Sequence, residues 1–498
     1  MIRFERVALR HFKNIDQGEI SFPHTDDLEN SLPSIIGIYG QNGSGKSSVV
    51  EAFALLQRLM SGSSLPSQAA DYFQPGADSY KIELQIRLTD ADDASSGKQQ
   101  FDYRLIYDVE IARSANPQRS QNKNAATFRI SHERLRIKNL LAQESLRTLI
   151  ALSASDDPAL STSLSPTGDW KSLFTGRSDD RSQLMVQLAL ANERSSSGIF
   201  SYNVYAIVER ALSEQARKGT NMSKNTLAAL AHLHHYLLCV PALALNALEN
   251  MDVISTSAHA EVSLNFLHVQ SRHADYWGSE PDGIRLDLLA ANTLDLKTFE
   301  RLKQTIGALN EVIGTLVPGL SLIVQNHGRQ ALDNGETGVR AELFSQRGSA
   351  LIPFRCESEG IKKIVSISTL LVNVYTNPSA FLAIDEFDSG IFEYLLGQIV
   401  ETFSKYAKGQ LLFTAHDLFP LEKLPKQSVV FATSSPSDKF ITFTNIRKTN
   451  NLRDVYLRAI ELEDGPAAIY NRTDRYEMDN AFYQAGQALK PQGVDDNE

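Results

Sequence analysis

Residues 34–48 read Ser34-Ile35-Ile36-Gly37-Ile38-Tyr39-Gly40-Gln41-Asn42-Gly43-Ser44-Gly45-Lys46-Ser47-Ser48. The isoleucine-rich beginning predicts a buried strand, a glycine-rich turn follows, and from Lys46 to Met60 apolar residues recur at helical spacing. Gly40 to Ser47 fits the pattern G-x-x-x-x-G-K-[ST] at every fixed position, between a strand and a helix, which is the context that gives the pattern its meaning. The glycines let backbone N–H groups line a concavity, and the following helix N-terminus adds the positive end of its dipole. Read this way, Lys46 bridges β- and γ-phosphate oxygens, Ser47 ligates Mg²⁺ and Ser48 reaches the α-phosphate. A glycine turn without a ligand is the competing reading; strand, motif and helix all standing in register weigh against it.

Two strand ends further along supply matching chemistry. Phe381 to Ile384 is an apolar run that ends in Asp385-Glu386. A buried strand delivers Asp385 to the sheet edge that carries the phosphate loop, where a carboxylate holds Mg²⁺ directly or through water. Glu386, one residue on, is then the general base that polarises an attacking water. The strand Gln410 to Thr414 ends in Ala415-His416-Asp417, and an imidazole there can sense the γ-phosphate. An acidic surface turn and a structural histidine are the plainer readings of these two segments taken singly.

The rest of the chain frames these motifs. It has 498 residues, 49 Lys+Arg against 59 Asp+Glu for a net charge of −10, and 42% hydrophobic and 22% charged residues. That composition excludes a disordered chain, a collagen-like repeat and a disulfide scaffold. The two cysteines, Cys239 and Cys356, are far apart and lack metal-site spacing, which fits a reducing cytosol. No run of uninterrupted apolar residues is long enough for a membrane span, the most apolar segment being broken by Pro241 and Asn246, and no signal-peptide core opens the chain. A cytoplasmic protein without membrane contact is expected.

Alternating segments Lys81 to Leu88, Phe101 to Ile111 and Phe128 to Ile137 predict an antiparallel sheet with one wet face. Leu140 to Ser271 reads as mostly helical, and strands and helices alternate from Leu320 to Thr414, which predicts a mostly parallel sheet with helices on both faces. The expected fold class is α/β, with residues 1–139 as an N-terminal lobe carrying the phosphate loop and an antiparallel β subdomain. Residues 140–318 then form a mostly helical insertion, 319–484 a C-terminal lobe and 485–498 a loose acidic tail.

Taken together these motifs resemble the ABC-type P-loop ATPases, in the soluble branch that holds the SMC proteins, RecF and the OLD-like ATPases. Leu9-Arg10-His11-Phe12-Lys13-Asn14 looks like that branch's N-terminal strand, which implies that Lys13 and Asn14 lie near the nucleotide, and Asn42, Gly43, Ser44 and Gly45 stand at loop positions that cradle its phosphates. Ser358-Glu359-Gly360-Ile361-Lys362-Lys363 is similar to the signature segment, through which Ser358 and Gly360 would cap the γ-phosphate held by the opposite subunit. Asp388 falls in the resemblance's D-loop and His416 at its switch histidine. The signature lacks the leading Leu-Ser-Gly-Gly form of transporters, and Gln74 is a weak match for a Q-loop glutamine.

More than three hundred residues separate the phosphate loop from Ser358, far more than in transporter subunits, yet without the heptads of an SMC arm. The resemblance therefore implies a compact OLD-like or RecF-like ATPase that binds ATP and Mg²⁺ and forms a homodimer or higher homo-oligomer through shared sites. No acidic nuclease cluster follows His416, so an effector, a nuclease or toxin, would be a separate protein, as in bacterial anti-phage modules. A RecF-like or SMC-like DNA-binding ATPase in DNA repair or maintenance is the alternative, and a scaffold that binds ATP but scarcely hydrolyses it a third. For DNA, the basic positions Arg113, Arg119, Lys123, Arg129, Arg134, Arg136 and Lys138 form either a phosphate-binding face or an ordinary solvated sheet face, the latter favoured. His232-x-His234-His235 reads as core or interface histidines ahead of a metal site.

Overall fold

The computed structural model describes residues 1–23, 34–90, 101–114, 128–154, 163–217, 224–255, 266–268, 285–332, 335–442, 451–462 and 474–489. A six-stranded sheet sits at its centre. Ser34–Gly40 runs parallel to Gln410–Thr414 on one side and to Val429–Ala432 on the other. Phe381–Ile384 and then Met251–Ile254 extend it beyond Gln410–Thr414, also in parallel, and Phe440–Ile441 closes the opposite edge antiparallel. These strands are almost wholly apolar because both faces are covered. Ile36, Ile38, Ala383 and Leu412 face one core with the helix Lys46–Met60, whereas Ile35, Tyr39, Leu382, Ile384 and Phe413 face a second core with the helices Glu359–Thr376 and Glu393–Tyr406.

The expected antiparallel sheet is present and larger than its three predicted strands. Its order is Ile15–Ser21, Ile2–Phe12, Ser79–Thr89, Asp102–Arg113, Phe128–Asn139, Arg147–Ser153 and Ser163–Ser165. Alternation of part-exposed and buried residues from Ser79 to Leu88 explains why this strand was legible. A buried glutamine ties the two sheets together: Gln410 Oε1 accepts from Phe4 N at 2.7 Å, and its Nε2 donates to Phe4 O at 2.8 Å. Phe4, Phe22, Phe53 and Phe381 pack edge-on and tilted across the same seam.

The span read as mostly helical also supplies strands. Arg147–Ser153 and Ser163–Ser165 finish the antiparallel sheet, and Met251–Ile254 is the outer strand beside Phe381–Ile384. Met-Asp-Val-Ile, four residues just after a helix, is too short to carry a periodicity of its own, so only pairing reveals it. The helix before it, Lys224–Glu249, continues through Pro241. Thr226–Glu249 is long and apolar enough to cross a membrane by length and composition, with mean hydropathy 1.4. Its Leu233, Tyr236, Val240, Leu243 and Ala247 instead lie in the first core. The last described helix runs Arg475–Ala488 with none of its residues buried, past the 485 boundary drawn for a loose tail; residues 490–498 lie outside the described residues.

The exposed face of the antiparallel sheet is ion-paired. Arg134 places two nitrogens 3.0 Å from the Asp108 carboxylate, which also meets Lys81 at 3.2 Å and Arg136 at 3.4 Å. Arg136 donates to Glu83 at 2.9 Å, Arg87 pairs with Asp102, and Arg104 with Glu5. Of the positions read as a basic face, Arg134 and Arg136 are thus paired with acids from neighbouring strands, and Arg113 and Arg129 donate to the carbonyls of Ala77 and Ala154; Arg119 and Lys123 lie outside the described residues.

One acid is buried on the other face. Glu133, 1% exposed, accepts from Tyr107 Oη at 2.8 Å, Gly198 N at 2.9 Å, Ile199 N at 3.3 Å and the Ser197 hydroxyl, binding the sheet to the segment that follows Ser178–Glu193. Glu133→Ala strands these donors and is expected to cost roughly 3 kcal/mol or more in urea unfolding, each unmet buried group costing ~1–3 kcal/mol. Burial raises the Glu133 carboxyl pKa, with the hydrogen bonds opposing. Its contribution to stability is therefore full below the ordinary carboxyl range and falls as pH rises through the raised value, a dependence that Glu133→Gln should lack.

Candidate functional site

Parallel pairing sends Gly40, Ile384 and Thr414 to the same end of the central sheet, the end where a doubly wound fold opens its crevice. The phosphate loop leaves there. A side chain at Gly40 is excluded, since a Cβ would stand 2.4 Å from Ala432 O. Gly43 and Gly45 take φ of 77° and 93°, the left-handed region that glycine occupies without cost. Ser44 N donates to Gln41 O at 3.1 Å, and Asn42 and Gly43 are exposed at the tip. Ser48 is buried in the first turn of the helix.

Lys46 folds back over this loop and donates to Gly40 O at 2.8 Å and Gln41 O at 3.1 Å. Burial lowers its pKa, and the charges of Asp385, Asp388 and Glu386 oppose that shift. Ser47 Oγ donates to Asp385 Oδ1 at 3.0 Å, which joins the loop to the acidic strand end. Thr414, a residue the sequence reading did not assign, completes the junction. Its hydroxyl donates to Asp385 Oδ1 at 2.6 Å and accepts from Glu386 N at 2.7 Å. The signal for it was its place at a strand end one register step beyond Ile384 and Phe413.

Among the described residues no group of three or more His, Cys, Asp or Glu could hold a metal ion. A serine hydroxyl beside one carboxylate nevertheless suits Mg²⁺, which keeps several waters and takes only one or two carboxylates together with phosphate oxygens. The histidine cluster is not such a site. His232 lies in the core with Nδ1 at 2.5 Å from Asp169, His234 is exposed, and His235 Nδ1 meets Ala231 O at 3.0 Å.

Glu386 has φ 47°, a left-handed conformation that is costly for a side chain with Cβ and that clusters at functional sites. Its carboxylate has no hydrogen-bond or ion-pair partner among the described residues. Asp388 is buried, and its Oδ2 accepts from His416 N at 2.6 Å and Asp417 N at 2.8 Å, so it holds the turn that carries His416. The His416 side chain is exposed.

Ser358 is the N-cap of the helix Glu359–Thr376, yet its hydroxyl makes no capping hydrogen bond and is exposed. Glu357 beside it is anchored by Arg347 at 2.6 and 3.0 Å and by the Ser345 hydroxyl. Gly360 is set tightly against the acidic turn, where a Cβ would lie 1.9 Å from Gly390 O. Lys363, one helical turn on, donates to Glu386 O at 2.5 Å and Ser389 O at 3.0 Å. Burial brings its pKa down to about 8 against the pull of Asp388, Glu386 and Asp385.

Asn14 and Lys13 divide. Asn14 Nδ2 donates to Gly43 O of the phosphate loop, whereas the Lys13 ammonium lies 2.6 Å from Glu51 and over the Tyr72 ring. Gln74 meets His11 Nδ1 at 3.0 Å.

Residues 6–184 match a family model described as an AAA domain. No curated protein sequence matches the chain. Among solved structures it is similar to the Smc head domain of Pyrococcus furiosus with an extended coiled coil, bound to the C-terminal domain of ScpA (13% identity, 93% of this chain and 100% of that one, TM-score 0.39). It is also similar to the ATP-bound recombination mediator protein RecF (12% identity, 84% and 94%, TM-score 0.31) and to the SMC head domain of Thermotoga maritima (12% identity, 89% and 99%, TM-score 0.33). The fold is α/β: a mostly parallel six-stranded sheet with the P-loop pattern at one end, and an antiparallel seven-stranded sheet beside it.

Proposed function

We propose that the chain binds ATP with Mg²⁺ at Gly40–Ser48, hydrolyses it, and uses the cycle to switch between separate and paired subunits. The observation that carries this reading is the junction at Asp385, where the loop serine, the strand-end carboxylate and Thr414 meet through bonds of 3.0 and 2.6 Å. Mg²⁺, when bound, would supply Lewis-acid charge at the phosphate oxygens. Ser47 and Asp385 would hold it, exchanging their mutual hydrogen bond for ligation. Lys46, released from the loop carbonyls, would turn to the β- and γ-phosphate oxygens. The Glu386 carboxylate, without a partner among the described residues, would take the proton of the attacking water, and His416 would face the γ-phosphate. Asp388 keeps the His416 turn in place.

Pairing is argued from Ser358. A serine N-cap ordinarily bonds its own helix, so an exposed hydroxyl with no such bond, at a helix N-terminus that favours anions, suits a phosphate brought by a second copy. A two-fold arrangement makes that contact reciprocal. The cycle would control a separate effector, a nuclease or toxin, in a cytoplasmic anti-phage role. The ion-paired sheet face weighs against the alternative in which that face binds DNA.

Light scattering tests the switch. Glu386→Gln protein should roughly double in mass when ATP and Mg²⁺ are added, and neither Lys46→Ala nor Glu386→Gln combined with Ser358→Arg should do so. A mass indifferent to ATP in all three sinks the shared-site reading.

A further inference from the structure

Lys439 lies beside the phosphate loop, against Gly45. It is 3% exposed. The turn that bears it is stapled in place: Thr433 N donates to Lys439 O at 2.9 Å, Thr433 Oγ1 to Asp438 O at 2.7 Å, and Asp16 N and Gln17 N donate to Pro436 O at 3.0 and 3.2 Å. The side chain passes between the hairpin residue Gly18 and the loop. Lys439 Cβ is 3.1 Å from where a Cβ of Gly18 would stand, and Cε is 2.9 Å from where a Cβ of Gly45 would stand. Gly45 is the N-cap of the helix Lys46–Met60 and has no side-chain cap.

Among the described residues the Lys439 ammonium has neither a carboxylate partner nor a hydrogen bond. Burial alone lowers its pKa, with no neighbouring acid to oppose the shift. A lysine this enclosed is unfavourable without a counter-charge, and a stem wanted only for packing would be served as well by methionine. The cost is intelligible if the missing partner is an anion that arrives at the helix N-terminus.

We infer that Lys439 is a further nucleotide-binding residue, its ammonium taking a phosphate-chain oxygen of the nucleotide at the Gly45 end of the loop. This rests on the reading of Gly40–Ser48 as a phosphate loop. The contact is made to phosphate, so it serves adenine and guanine nucleotides alike and strengthens binding of diphosphate as well as triphosphate.

Calorimetric titration of the full chain with MgATP, MgGTP and MgADP, on wild type, Lys439→Met and Lys46→Ala, tests it. Lys439→Met should weaken each nucleotide that wild type binds by about tenfold or more. Without nucleotide it should melt no lower than wild type, because a buried unpaired charge has gone, whereas a structural lysine would leave a less stable protein. Wild-type affinity in Lys439→Met overturns the inference while leaving the loop reading intact, and so does a loss confined to one base. Failure of wild type to bind any of the three overturns both readings.

Discussion

Glu386→Gln is expected to slow ATP hydrolysis by about 10²–10⁴-fold, the usual worth of a general base, while ATP affinity stays within a few-fold of wild type. Three features set the size of this effect. The Glu386 backbone is held in a left-handed conformation at φ 47°, its N–H is bonded to Thr414 Oγ1 at 2.7 Å, and its carbonyl accepts from Lys363 at 2.5 Å. The main chain is thus committed on both sides, and the carboxylate has no partner among the described residues. Glutamine keeps the shape and the backbone bonds and removes only the proton acceptor. Single-turnover hydrolysis, read beside equilibrium ATP binding, separates chemistry from affinity. A variant that hydrolyses at the wild-type rate would remove Glu386 from the mechanism, and one that loses ATP binding would make its role structural.

Gly360→Ala should be the most damaging single methyl addition near the site. Its Cβ would fall 1.9 Å from Gly390 O, a backbone atom in a turn where Gly390 itself has φ 76°. Neither side can yield by rotating a side chain, so the helix Glu359–Thr376 and the acidic turn must separate. Lys363 then loses its hold on Glu386 O and Ser389 O. Overpacking of this kind costs about 1–3 kcal/mol and at times more, and a rigid backbone contact belongs at the upper end. Urea unfolding should show a lower midpoint with an unchanged slope. ATP turnover should also fall at temperatures where the variant remains folded, because the displaced turn carries Glu386. Wild-type stability in Gly360→Ala would mean that the close approach does not exist in solution. The resemblance assigned Gly360 to a phosphate on the opposite subunit; within its own subunit it has a second task, letting helix and turn touch.

Much of this protein could be read from order along the chain. The phosphate loop declares itself because a local backbone shape needs glycines, a lysine and a serine at fixed spacing, and the strand before it and the helix Lys46–Met60 follow from local apolar pattern. The places of Asp385, Glu386 and His416 at one end of the sheet follow from the same local pattern, each standing just after an apolar strand. Everything that depends on two distant segments meeting was settled only in three dimensions. Met251–Ile254 is a strand because Phe381–Ile384 lies beside it. Arg134 and Arg136 are neutralised because Asp108 and Glu83 arrive from neighbouring strands. Thr414 and Lys439 acquire their places through pairing and burial, and no motif marks them; Lys363 ends the signature-like segment, but its hold on Glu386 O and Ser389 O appears only in the fold. Local geometry and covalent spacing are written in sequence order, whereas charge compensation, strand register and the enclosure of a lone lysine are properties of contacts between segments far apart in the sequence.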